Sequence, residues 1–109
     1  MAASFSGKVT WLGHAMFSVE SKSGKRLVLD PFIEPNPKFP KGHDLSRVDV
    51  IAPTHGHSDH SADAVALAKQ FKPQIVAIFE TCACRPLIPP LTLLVRPLTE
   101  FSRLVRSVQ

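Results

Sequence analysis

Apolar and polar positions alternate along the first half of the chain, and the period then changes. Residues 8–12 (KVTWL) and 15–20 (AMFSVE) are rich in β-branched and aromatic side chains on either side of Gly13-His14, which predicts two short strands. Residues 21–25 (SKSGK) carry turn residues, and residues 26–30 (RLVLD) resume the strand pattern. Four prolines and no periodicity across residues 31–42 predict a loop packed over an edge of the domain. Residues 49–54 (DVIAPT) form a short apolar strand in which Pro53 marks the end of regular pairing. The period then lengthens. Residues 62–71, with Val65, Leu67, Ala68 and Phe71 spaced for burial, predict a helix capped by Ser58 or Ser61. Pro73 closes it, and residues 74–79 (QIVAIF) read as a buried strand beside 49–54. This order places the residues after Thr54 at the C-terminal end of a strand, where open α/β sheets present their chemistry.

Beyond Glu80 the pattern is lost. Glycine, lysine and histidine are absent there, prolines recur from Pro86 to Pro97, and four arginines face the single acid Glu100. Residues 99–108 alone regain a helical period, through Phe101, Leu104, Val105 and Val108. The expected division is therefore residues 1–80 as the organised part and residues 81–109 as a divergent, arginine- and proline-rich tail. The 109 residues allow one domain at most, and 44% hydrophobic content describes a globular chain rather than a disordered one.

The net charge of +4 changes the picture little. It is compatible with an anionic small-molecule substrate. There is no Lys/Arg run and no aromatic interleaving, so nucleic acid is not expected as a partner. Residues 86–95 are the longest apolar stretch, too short and too interrupted by proline to span a bilayer. No apolar signal core opens the chain, and Cys82 and Cys84 are too close for an ordinary disulfide. A cytoplasmic setting without membrane association is the expectation.

The chemistry concentrates in His55-Gly56-His57-Ser58-Asp59-His60, which holds three of the five histidines and a carboxylate between small spacers. Imidazole and carboxylate are the donors that zinc and similar cations select. Residues two apart on an extended chain point the same way, so His55 and His57 can share one ion. Asp59 and His60 follow where the chain turns toward the helix and can face a second ion. A solvated, histidine-rich loop is the competing reading. Clustered histidine and aspartate without a ligand would repel or stay unsatisfied, and the metal reading is the stronger.

The run Thr54 to His60 resembles the HxHxDH signature of the metallo-β-lactamase superfamily. Trp11-Leu12-Gly13-His14-Ala15-Met16-Phe17 and Leu29-Asp30-Pro31-Phe32 resemble its branch of metal-dependent hydrolases similar to L-ascorbate-6-phosphate lactonase. The resemblance covers roughly residues 8–80. It implies an α/β fold, the metallo-β-lactamase-like αββα sandwich, of which this chain is expected to hold only the N-terminal half. It implies His55 and His57 on a first metal, and Asp59 and His60 on a second. It also implies a further histidine, a bridging carboxylate and a last histidine, for which only Asp63, Glu80 and Glu100 remain after His60, and Asp63 reads better as a solvated first-turn acid.

Within that pattern Asp30 either orients a ligand histidine through its second ring nitrogen or merely ends a strand before Pro31. His14 is either a structural histidine after a glycine turn or a substrate-facing group. His43 reads as solvated. The function expected is metal-dependent hydrolysis, metal-activated water attacking an ester, lactone or phosphoester, with Asp59 both binding metal and orienting the nucleophile. The metal expected is Zn2+, one or two ions, with Mn2+, Fe2+ or Ni2+ able to occupy the same donors. The alternatives are a metal-binding half-domain without turnover and one that needs a second chain to complete its site. A half-sandwich also exposes apolar surface, so self-association is expected.

Overall fold

Residues 5–78 are described by the structure, a computed structural model. Five strands form one mixed sheet in sequence order: β1 (Lys8–Trp11), β2 (Phe17–Glu20), β3 (Arg26–Leu29), β4 (Val50–Ala52) and β5 (Gln74–Ile75). The first three pair antiparallel and the last two join in parallel. The turn between β2 and β3 closes through Ser21, whose hydroxyl accepts the Lys25 N–H at 3.0 Å, while Gly24 takes φ +83°.

β4 is buried at all three positions, as the apolar run predicts for a strand flanked on both sides. It is shorter than residues 49–54 because Pro53 has no N–H, and the Thr54 N–H leaves the ladder for the Asp30 carboxylate at 2.6 Å. β5 stops early for the same reason: Val76 still bonds Ile51 O at 2.9 Å, but β4 offers no ladder partner beyond Ala52.

The helical segment departs from expectation. It begins earlier and is broken into α1 (Ser58–Ser61) and α2 (Ala64–Phe71). Neither serine caps it. The Ser61 hydroxyl instead donates back to the His57 carbonyl at 2.9 Å, a bond that competes with regular helix. The break falls where Asp63 turns outward: its N–H donates to Pro31 O at 3.2 Å, and its carboxylate accepts the Ile33 N–H at 2.6 Å. Asp63 is thus a clasp between helix and loop, not the solvated acid that its position suggests. α2 ends on Lys72 at φ 50°, whose N–H bonds Ala68 O before Pro73.

One apolar cluster unites these elements: Leu12 and Met16 beside β1 and β2, Val28 on β3, Ile51 on β4, and Ala64 and Leu67 on α2, joined by Val48. Val28 and Ile51 are fully buried and are register partners, each worth about 1.5–3 kcal/mol on burial. Ile33, Phe39 and Leu45 pack on the same cluster, so the proline-rich loop lies over the core. Asn36 fastens it, donating to Leu12 O and Phe32 O and accepting the Lys38 N–H at 3.0 Å. The opposite sheet face grades from buried Val50 to Val9 and Trp11, which are 58% and 57% exposed. The 81–109 tail and its predicted helix lie outside the described residues, as do Cys82 and Cys84.

Candidate metal centre

Asp30 is the fixed point of the site. It follows β3 in a left-handed conformation (φ 46°) and is only 3% exposed. A buried carboxylate needs donors, and three are present. Oδ1 accepts the Thr54 N–H at 2.6 Å; Oδ2 faces the Thr54 hydroxyl and His60 Nδ1, each at 2.9 Å.

These bonds decide where the protons on two histidines sit. Asp30 can only accept, so a neutral His60 carries its proton on Nδ1 and presents a lone pair at Nε2. The single hydroxyl proton of Thr54 goes to Asp30, so Thr54 Oγ1 must accept from His55 Nδ1, 2.9 Å away. His55 thereby also frees the lone pair on Nε2. One buried aspartate, directly for His60 and through Thr54 for His55, sets both neutral rings in the tautomer that leaves Nε2 free to bind.

The loop 53–57 at the C-terminal end of β4 and the short helix α1 carry the rest. The His55 ring lies between two others, 4.6 Å from His57 and 4.1 Å from His60 by centroid. His57 and Gly56 are exposed, leaving that side open to a ligand. Asp59, in the first turn of α1, turns Oδ2 toward His60 Nε2 at 3.6 Å and toward His14 Nε2 at 3.3 Å. Among the described residues, His14, Asp59 and His60 bring ligand atoms within 4.8 Å of one another. His55 and His57 flank this group rather than joining it.

The donor chemistry fits a divalent cation. With Nδ1 committed to Asp30, the His60 lone pair and the Asp59 carboxylate oxygen face each other as two acceptors, an arrangement that a cation between them relieves. Thr54 was not among the residues singled out by sequence. Its only signal was a hydroxyl at the end of a strand beside the ligand run. His43 lies apart, its ring 5.9 Å from Phe39, and is half-buried rather than solvated.

The family described as beta-lactamase superfamily domain matches residues 8–84. A UPF0173 metal-dependent hydrolase of Solibacter usitatus is 57% identical over 74 residues, covering 68% of this chain and 32% of that protein. One from Methanosarcina mazei is 45% identical over 73 residues, covering 67% and 31%. Igni18, a metallo hydrolase from Ignicoccus hospitalis, superposes with a TM-score of 0.61 at 27% identity, over 72% of this chain and 34% of its own. The chain spans about a third of the length of the curated relatives it matches.

Proposed function

The chain belongs to the beta-lactamase superfamily, of which it holds an N-terminal part, and from that premise we propose that it builds one wall of a metal-dependent hydrolase centre. His55, His57, Asp59 and His60 are the ligands, with Zn2+ the first candidate. The reaction is attack of an activated water on an ester, lactone or phosphoester of a small, preferably anionic molecule. The observation that supports this best is the pair of acceptors at Asp59 and His60, of which His60 is held through Nδ1 by the buried Asp30.

A bound divalent ion supplies Lewis acidity, easing deprotonation of water near neutral pH and offsetting charge that develops on the substrate oxygen. The chain's own residues do the rest. Asp30 and Thr54 hold the His60 and His55 rings in register and, by engaging Nδ1, leave Nε2 of each neutral ring as the atom that faces a ligand. Asp59, about half exposed at its side chain, can orient the attacking water by accepting one of its protons. Exposed Gly56 and His57 leave room for the substrate to approach.

A second reading draws on the apolar face of β1 and β2, where Val9, Trp11 and Phe17 are exposed. Here the chain binds metal without turnover, or completes its site against a second chain. Metal content of the protein purified without chelator, with turnover of lactones and phosphoesters on the same sample, tests both. Two tight ions and turnover that is lost in folded His57→Ala support the hydrolase. Hydrolysis unchanged in His57→Ala overturns it. One loose ion without turnover favours the metal-binding part, and activity that falls on dilution favours assembly. No helix among the described residues is long and apolar enough to cross a membrane.

A further inference from the structure

We propose that His14, on the turn between β1 and β2, is itself a metal ligand, joining Asp59 and His60 through its Nε2. The proposal rests on the metal-centre reading above and extends it to a residue outside the His55–His60 run.

Distances carry the argument. Charge-assisted bonds between imidazole and carboxylate run about 2.7–2.9 Å. Asp59 Oδ2 stands 3.3 Å from His14 Nε2 and 3.6 Å from His60 Nε2, and neither contact is a hydrogen bond. Two ligands each about 2.0–2.1 Å from a tetrahedral ion are themselves about 3.3–3.4 Å apart. The separations are those of neighbours around a shared cation rather than of donor and acceptor.

The backbone adds a second, independent observation. His14 sits at φ 53°, a left-handed conformation that a residue with a Cβ seldom adopts. The surroundings hold it there. Trp11 Nε1 donates to His14 O at 2.8 Å, and Met16 N–H closes the turn on Gly13 O at 3.0 Å. Gly13 lies so close to the clamped loop that a Cβ would meet Lys38 Cβ at 2.7 Å and Asn36 Oδ1 at 2.9 Å. The imidazole is set edge-on between Phe32 and His60, at centroid distances of 5.4 and 5.0 Å. Strain of this kind persists where the fold over-determines it, and here it aims one ring at one carboxylate.

The test is Co2+ titration of the metal-free protein, followed by visible absorption and by paramagnetically shifted imidazole N–H resonances. The variants are His14→Asn, which tolerates the left-handed turn, and His14→Gln. Both should fold, bind the ion beside Asp59 at least about tenfold more weakly, change the cobalt band intensity and lose one shifted resonance. Unaltered affinity, bands and resonances in folded His14→Asn would overturn the role of His14 while leaving the centre standing. If the unsubstituted protein takes up no cobalt, the metal-centre reading falls and this proposal falls with it.

Discussion

His60 enters the site gripped by a buried carboxylate, whereas His57, three residues earlier, stands exposed with no hydrogen bond to its ring among the described residues. The two share a residue type and a motif, yet the fold treats them oppositely. At the His60 end, the side chain of Asp30 spends its accepting capacity on Thr54 and His60, and a proton position is fixed. At the His57 end, Gly56 and Ser58 leave the ring accessible. The difference teaches that the anchored end makes the site rigid and the open end leaves it reachable. Stability and ligand binding should therefore separate along six residues.

The sharpest way to break this contrast is Asp30→Ala. It strips three donors of their buried partner and should cost on the order of 3–5 kcal/mol, read as a lower urea midpoint, together with loss of metal uptake. Thr54→Val keeps the shape but removes the hydroxyl between Asp30 and His55. About 1 kcal/mol of stability should go, and His55 should show a mixture of tautomers in nitrogen-resolved NMR while His60 does not.

A smaller effect lies away from the site, at the start of β4. Burial alone would raise the Asp49 pKa, but bonds from the Arg47 guanidinium and the Arg26 N–H outweigh it and hold the carboxyl below its ordinary value. A carboxyl with a lowered folded pKa contributes stability that is complete above the unfolded value of about 4 and is lost as pH falls through the folded one. Asp49→Asn should flatten the acid limb of a stability-against-pH curve without altering metal content. His57→Ala should shift stability least, within about 0.5 kcal/mol, while weakening metal binding. A large loss of stability there would erase the distinction between the two ends.

The positions of the strands along the chain and the family were legible in the sequence because both depend on local pattern: alternation in residues 8–30, an apolar run at β4, and a dense ligand motif after it. Contacts that join distant segments were not. Nothing local says that the Asp63 N–H will leave the helix for Pro31, so one helix was expected where two occur. Thr54 looked like the end of a strand because its partner Asp30, 24 residues away, comes within reach only once β3 and β4 are side by side. Asp30 had two readings in the sequence, and its 2.9 Å approach to His60 Nδ1 joins residues 30 apart, which no local pattern foretells. His14 drew notice only through its motif. Its approach to Asp59 depends on a turn geometry that a composition of Gly, His and Ala does not dictate.

The bonds that ready the histidines have a kinetic consequence. Asp30 reaches Thr54 across 24 residues and His60 across 30, whereas β1, β2 and β3 pair through short hairpin connections. Contacts between distant segments must first overcome the entropy of closing the intervening loop, so the hairpins should form first and the parallel β3–β4 pair later. A chain arrested between these stages would carry all its ligand residues and still lack a competent site. Metal capture would then report the last step of folding rather than the first.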